Sequence, residues 1–449
     1  MKRVFSLFFC ALSAFSFHAD AQYRKIMTIT GTGGVGGYGG DGYYASGGTL
    51  NGPQNIALDN AGNIYIVDYY NFRVRKIKKY NNNIVTFAGN GISGNNGNGT
   101  AATNAQVNPK GVACDFRGNV YISDNMHHVI RKVNALNIIS TYAGTGVQGY
   151  TGDNGAATLA TFNSPFGLAC DKKGNLYVAD AGNHVVRMID TFGKVTTVAG
   201  DGTAGYMGDG LPATVARLDS PFAVAVTNSG AFYIADHNNN VVRMVDAAGQ
   251  MSTFAGDGAF AYSGDNGLAI NASFNYPTGV AVDTAGNVYI SDSYNNVIRE
   301  VEAATGIINT VVGNGFPGFG GDLGGPLGAN LFHPYGIAVD SFNNIFICDV
   351  NNQRVRKVYT STVSVGNDPL AAQPEVFPNP FEGDITVTDL RKNDRVCLYD
   401  MVGRAMTTAW IVDTDGAQTF TTGDLAKGVY VLQVTDAAGN NRASIKMVK

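Results

Sequence analysis

The stretch Pro165-Phe-Gly-Leu-Ala-Cys-Asp171, followed by Gly174-Asn-Leu-Tyr-Val-Ala-Asp180 and Asn183-His-Val-Val-Arg187, decides the fold. Five other segments repeat this pattern, and their central aspartates are 56 residues apart, with 57 in the last interval. A constant period of this length indicates one supersecondary unit copied side by side. The six central aspartates are Asp68, Asp124, Asp180, Asp236, Asp292 and Asp349.

Each copy contains four short segments of β character. In the third copy the alternation of apolar and polar residues predicts strands a to d at 167–171, 176–180, 184–189 and 195–200. The segments are separated by turns rich in Gly and Asn, and none has a helical period. Four strands repeated six times predict an all-β, six-bladed β-propeller.

The ends of the repeat array predict how the ring closes. The sixth copy runs over 336–358 and lacks a strand d, whereas Ile26-Met-Thr-Ile-Thr-Gly31 matches the strand d of the third copy. We therefore expect the N-terminal strand to complete the last blade. Such closure removes the open edges that would otherwise pair with another chain.

The repeat unit resembles the NHL repeat across about residues 26 to 358. The resemblance lies in Pro-x-Gly-Val-Ala-Val-Asp, Gly-Asn-x-Tyr-Ile-x-Asp and Asn-x-Val-x-Arg, which all six copies carry with few changes. It implies a six-bladed propeller. It is unspecific for function, because similar propellers serve as protein-binding modules, lyases and lactone hydrolases.

Segments outside the repeats predict targeting. A basic start at Lys2 and Arg3, an apolar run to Phe17 and the small-x-small site Ala19-Asp20-Ala21 predict a signal peptide at 1–21. The propeller is assigned to 22–359. Residues 360–374 are rich in Ser, Thr, Gly, Pro and Ala and are interpreted as a linker. No later segment is apolar enough to predict a transmembrane span.

The remaining 375–449 carry alternating strands that predict a small β-sandwich. This module resembles the C-terminal sorting domain of the type IX (Por) secretion system, through Phe377-Pro-Asn-Pro380, Tyr399-Asp400 with Gly403-Arg404, Gly428-Val-Tyr430, and Lys446 with Lys449. The resemblance implies the type IX machinery as a partner and a Gram-negative, Bacteroidota-type source. It further implies passage through the periplasm and a secreted or cell-surface location.

Charge narrows the function classes. The net charge is −4 and only 15% of the residues are charged, so the basic face typical of nucleic-acid binders is not expected. The repeated Arg on strand c is interpreted as structural, because the third strand of a blade lies away from the axis, where each arginine can tie its own blade to a neighbouring carboxylate or carbonyl. These arginines are Arg75, Arg131, Arg187, Arg243, Arg299 and Arg356.

The long connections between strand d and the next strand a are expected to lie on one face of the ring, together with the b–c turns. Long loops on a rigid scaffold are where binding usually takes place. Five of them carry an aspartate beside glycine, which suits calcium or another ligand, although the same pattern also forms self-stabilised turns. The candidate ligand-binding residues are Asp41, Asp153, Asp209, Asp265 and Asp322.

Two histidines on this face, His237 and His333, depart from the repeat and form the candidate metal site, with zinc or iron as the metal. Other departures are Gly97, His127 and Thr227. The near-identity of the copies favours a protein- or glycan-binding or scaffold module. The alternative is a metal-dependent lyase or lactone hydrolase with its site on the long-loop face.

Overall fold

The computed structural model describes residues 23–361, 376–377, 383–400, 404–406, 410–422, 425–437 and 441–449. The chain divides into two compact units between Thr362 and Val363. The predicted signal peptide and all of the predicted linker after residue 361 lie outside the described residues. The exact boundaries of the signal peptide, the propeller, the linker and the sorting domain remain predictions.

The first unit is the six-bladed β-propeller expected from the repeats. Each blade is an antiparallel sheet of strands a to d, and blades two and five gain a short fifth strand from the preceding loop. Blade one comprises Pro53–Leu58, Ile64–Asp68, Arg73–Ile77 and Ile84–Ala88. Blade two comprises Pro109–Cys114, Val120–Asp124, Val129–Val133 and Ile138–Ala143, with Thr100–Ala101 at its edge. Blade three comprises Pro165–Cys170, Leu176–Asp180, Val185–Ile189 and Val195–Ala199.

The remaining blades repeat this order. Blade four comprises Pro221–Val226, Phe232–Asp236, Val241–Val245 and Met251–Ala255. Blade five comprises Pro277–Val282, Val288–Asp292, Val297–Val301 and Ile307–Val312, with Gly267–Leu268 at its edge. Blade six comprises Pro334–Val339, Ile345–Asp349, Arg354–Ser361 and, as its strand d, Tyr23–Thr30.

The N-terminal strand closes the ring as predicted. Tyr23–Thr30 pairs antiparallel with Arg354–Ser361, with Ile26 opposite Val358. Both of these side chains are fully buried. Blade six therefore joins the two ends of the propeller domain in one sheet.

Short 3-10 turns occupy two places in the repeat. One set lies in the long d–a loops: Ala45–Gly47, Ala102–Asn104, Ala157–Leu159, Ala213–Val215, Ala269–Asn271 and Pro326–Gly328. The other set forms b–c turns: Tyr69–Asn71, Ala181–Asn183, His237–Asn239, Ser293–Asn295 and Val350–Asn352. The b–c turn of blade three ends on His184 in the left-handed conformation, which is why strand c begins one residue later than the sequence predicts.

The inner strands explain the Pro-x-Gly signature. Strands a contact one another around the axis. A Cβ added to Gly167 would lie 2.6 Å from the Phe222 carbonyl oxygen of the next blade, so glycine is required at this place in blade three. The aromatic residues of strand b, such as Tyr121, are buried between blades.

The second unit is a small β-sandwich. One sheet contains Val376–Phe377, Ile385–Leu390 and Gly416–Phe420. The other contains Trp410–Ile411, Arg395–Asp400, Val429–Thr435 and Asn441–Val448. Alternating residues of both sheets, including Val387, Leu398 and Leu432, form its buried core.

Candidate functional site

A fully buried arginine occupies the same place in strand c of each blade. In blade three the Arg187 guanidinium donates to Asp153 Oδ1 at 2.6 Å and to the carbonyls of Thr151 and Thr161. Asp180, also fully buried, has a carboxylate oxygen 3.9 Å from the same guanidinium. Buried charges are tolerated when their polar atoms are paired, so this arginine links the loop to its blade.

The five loop aspartates each contact the arginine of their own blade. The carboxylate–guanidinium distances are 2.5 to 2.7 Å in the pairs Asp41–Arg75, Asp153–Arg187, Asp209–Arg243, Asp265–Arg299 and Asp322–Arg356. An aromatic ring three residues before each aspartate covers the guanidinium: Tyr38, Tyr150, Tyr206, Tyr262 and Phe319. The structure does not bring these carboxylates together, and their role in ligand binding remains a prediction.

Two departures from the repeat have local explanations. Gly97 stands where the other loops carry the aspartate, and the neighbouring Asn98 Oδ1 accepts from the Arg131 guanidinium at 3.0 Å instead. His127 stands where the other blades carry Asn, and its Nδ1 lies 2.7 Å from Asp124 Oδ1. Asn98 and His127 therefore restore a repeated structural bond by another route.

Thr227 is a third departure, at the end of strand a. Its Oγ1 donates to the Ala231 carbonyl at 2.9 Å, within the a–b turn. The aspartates of other blades accept bonds within the same turn, as Asp171 Oδ1 does from the Asn175 N–H at 2.8 Å. This departure also has a structural role.

Near the axis, a series of aromatic side chains follows the rim of the long-loop face. Phe166 stacks on Phe222, with ring centroids 4.5 Å apart and planes 4° apart. Phe222 stacks on His237 at 3.7 Å, and His237 on Tyr276 at 4.8 Å. Tyr276 then contacts Tyr294 at 5.1 Å.

The series continues on both sides of this stack. Tyr294 lies 4.4 Å from the ring of His333. On the other side, the ammonium of Lys110 lies 4.6 Å from the centre of the Phe166 ring and 4.9 Å from that of Tyr69. We call this set the axial aromatic band: Tyr69, Lys110, Phe166, Phe222, His237, Tyr276, Tyr294 and His333.

The two predicted metal ligands are both members of the band, but the structure does not bring them together. The rings of Tyr276 and Tyr294 lie between His237 and His333. Over the residues that the structure describes, no group of three or more His, Cys, Asp or Glu side chains is placed to hold a metal ion. Binding of calcium, zinc or iron remains a prediction from the sequence.

The imidazole ring of His237 is uncharged at neutral pH. Burial lowers its pKa to about 4, and the positive charge of Lys110 acts in the same direction. Its Nδ1 lies 3.2 Å from the carbonyl oxygen of Pro277, to which it donates in the neutral tautomer. Nε2 is then left as a hydrogen-bond acceptor.

Two members of the band have a left-handed backbone. Tyr276 and His333 precede the proline of their repeat and have φ values of 53° and 51°. The equivalent residues Gly52, Ser164 and Ser220 have φ values of 65°, 50° and 52°, so this conformation belongs to the repeat. Tyr276 and His333 place a ring at this position.

Sequence reasoning identified His237 and His333 but missed the other members of the band. Lys110, Phe166 and Phe222 follow the repeat proline directly, where other copies have Gln, Thr or Tyr. The sequence signal is that this position varies, whereas the proline before it is the same in all six copies. It was not recognised because its place beside the axis becomes clear only in the assembled ring.

Apart from the axial aromatic band, a cleft lies between blades one and six. This cleft of about 720 Å³ is lined by Asp59, Asp340, Phe342 and Lys357, among others. Asp59 and Asp340 accept backbone N–H groups within their own a–b turns, at 2.8 and 2.9 Å. Its carboxylates thus belong to the repeated turn structure.

Comparison with known families supports both modules. Residues 50–77 match the NHL repeat, and 258–316 match the Teneurin NHL domain. Residues 375–449 match the secretion system C-terminal sorting domain. No helix in the described parts of the chain has the length and apolarity needed to cross a membrane.

Individual proteins are similar over the propeller. The chain is 27% identical to the protein SUPPRESSOR OF QUENCHING 1 of Arabidopsis thaliana, over 68% of this chain and 30% of that protein. It is 25% identical to NHL repeat-containing protein 2 of Bos taurus, over 70% of this chain and 47% of that protein. It therefore spans less than half the length of these curated relatives.

A solved structure has a similar fold. It is an auxiliary nutrient binding protein from Bacteroides thetaiotaomicron, with a TM-score of 0.52 and 18% identity, covering 75% of this chain and 76% of that one.

The blades and the matched repeats define the class of NHL-repeat β-propellers. This chain is an NHL-repeat protein with a C-terminal sorting domain for type IX secretion, the export route of Bacteroidota-type bacteria.

Proposed function

We propose that this exported propeller binds a glycan on the axial aromatic band. The observation that carries the proposal is the continuous stack from Phe166 through Phe222 and His237 to Tyr276. These four rings remain partly exposed. A row of partly exposed ring faces offers a platform for a flat, weakly polar surface.

The chemistry of a sugar fits such a platform. One face of a pyranose ring presents C–H groups that pack on an aromatic ring, while its hydroxyls need hydrogen-bond partners. Polar groups lie beside His237: the Asn238 amide donates to Asp219 Oδ1 at 3.0 Å and to Ser220 Oγ at 3.2 Å. Asp219 and Ser220 are part-exposed and can also bond to a ligand.

The residues before the repeat proline support the same proposal. This position holds Gly52, Ser164 and Ser220 in blades one, three and four, whereas blades five and six carry larger side chains there. Tyr276 and His333 each place a ring in the band. The solved relative from Bacteroides thetaiotaomicron is named as a nutrient-binding protein, a role compatible with glycan capture.

Replacing Tyr294 by Ala should weaken glycan binding by about tenfold or more, because it removes a half-exposed ring from the band. The full chain is screened against immobilised oligosaccharides, and the affinity for the best ligand is then measured by calorimetry. Phe192→Ala is the matched control, since Phe192 is 94% exposed in the c–d turn of blade three, on the opposite face. Equal affinities for Tyr294→Ala, Phe192→Ala and the unchanged chain would count against the proposal.

A further inference from the structure

The axial aromatic band contains one cation, Lys110, at a position that is not cationic in any other blade. It is the second residue of strand a in blade two. The equivalent residues of the other blades are Gln54, Phe166, Phe222, Thr278 and Tyr335. The charge is therefore not part of the repeated blade structure, unlike that of the strand c arginines.

The surroundings of Lys110 are aromatic. Its ammonium lies between the faces of Tyr69 and Phe166, at 4.9 and 4.6 Å from the ring centres. Within the described part of the chain, no carboxylate forms an ion pair or hydrogen bond with it. By contrast, each strand c arginine except Arg131 has two carboxylates within 4 Å.

The surroundings of the Lys110 ammonium replace only part of the hydration that its charge would have in water. The aromatic faces attract it through the negative charge density of their π systems. Loss of hydration opposes its charge, and burial lowers the pKa of Lys110 to about 8. The Lys110 side chain is still mostly protonated at pH 7. An anion bound near the axis on the long-loop face of the propeller would pair with it.

We propose that the glycan is acidic and that a carboxylate of the sugar pairs with the Lys110 ammonium while neighbouring sugar rings pack on Phe166 and Phe222. The inference depends on the proposed glycan-binding function and adds the ligand class to it.

The acidic neighbour on the other members of the band is Asp219, which acts on His237 and accepts from the Asn238 amide at 3.0 Å. Tyr69 and His237 add no negative charge beside Lys110. Burial raises the pKa of Tyr69, which stays neutral, and His237 is neutral above about pH 4.

The test uses the full chain and a galacturonic acid trimer, with the methyl-esterified trimer as the neutral partner of the same shape. We expect the acid to bind at least about tenfold more tightly than the ester, the usual weight of a charge-assisted hydrogen bond. Lys110→Gln should lose this preference, whereas Lys110→Arg should retain it. Acetate should not compete at the same carboxylate concentration, because it lacks the sugar rings.

The affinity for the acid trimer should also fall as the pH rises through about 8, where Lys110 loses its proton, while the affinity for the ester stays constant. Lys110→Arg should shift this loss to higher pH. Circular dichroism checks that each variant remains folded.

The outcomes separate this inference from the proposed function. Equal binding of acid and ester, with no effect of Lys110→Gln, would overturn the carboxylate site but leave glycan binding intact. An acid preference that persists in Lys110→Gln would place the charge recognition elsewhere and would also overturn it. If neither the trimers nor any other oligosaccharide binds, both proposals fail.

Discussion

A chain that lacks residues 23–31 should not form a stable propeller. The deletion removes strand d of blade six, leaves the backbone of Arg354–Ser361 without its partner and exposes the core that Ile26 fills. A buried Ile alone is worth about 2–5 kcal/mol, and each lost backbone hydrogen bond about 1 kcal/mol. The total is comparable with the whole stability of a typical domain, about 5–15 kcal/mol.

Thermal unfolding followed by circular dichroism checks this expectation. A synthetic peptide of residues 23–31, added in excess, should restore part of the lost stability by occupying the open edge. A peptide with the same residues in scrambled order is the control. An unfolding temperature that does not change on deletion would mean that the ring closes in another way.

The second large effect concerns the buried arginines. Arg187→Met should lower the free energy of unfolding by about 3–5 kcal/mol, because it leaves buried Asp180 without its cation. It also removes the donor to the carbonyls of Thr151 and Thr161. Chemical denaturation of the full chain measures the difference.

Asp153→Asn is the matched control. Blade two tolerates a similar arrangement naturally, since Arg131 donates to Asn98 there. This variant should therefore cost clearly less than Arg187→Met. If the two substitutions lowered the free energy of unfolding by the same amount, Arg187 would not be the centre of this hydrogen-bond network.

The effect of Arg187→Met should depend on pH. Burial raises the pKa of Asp180 to about 7 from an ordinary value of 3.8, and Arg187 acts in the opposite direction. A raised pKa in the folded state means that the folded protein binds the proton more tightly, so stability falls as the pH rises from about 4 to 7. Without Arg187 the pKa of Asp180 rises further, so this fall should continue to higher pH, and the cost of the substitution should be smaller at pH 5 than at pH 8.

The architecture was predictable because every copy restates it. The constant spacing of Asp68, Asp124 and their equivalents defines the number of blades, and the match of Ile26–Gly31 to strand d defines the closure. The fifth strands of blades two and five were not predictable. Thr100–Ala101 is a two-residue pairing made by loop backbone, which leaves no pattern in the side chains.

The candidate site was only partly predictable. Repetition correctly directed attention to departures, but His127 and Thr227 bond within their own turns, and Asn98 replaces the aspartate that is absent at Gly97. The band draws its rings from the residue after the repeat proline, the residue before it and the b–c turn, as Phe166, Tyr276 and Tyr294 illustrate. Their convergence depends on how neighbouring blades are arranged around the axis, and that geometry has no signal within a single copy.

Hydrogen–deuterium exchange of the full chain, with and without a bound oligosaccharide, tests the location of the ligand most directly. The ligand should slow exchange in peptides that cover 109–111, 165–167, 221–223 and 292–296. These segments carry four members of the axial aromatic band, namely Lys110, Phe166, Phe222 and Tyr294. Peptides covering 115–119 and 190–194, on the opposite face, should be unaffected. Protection confined to that opposite face or to the sorting domain would contradict a binding site on the band.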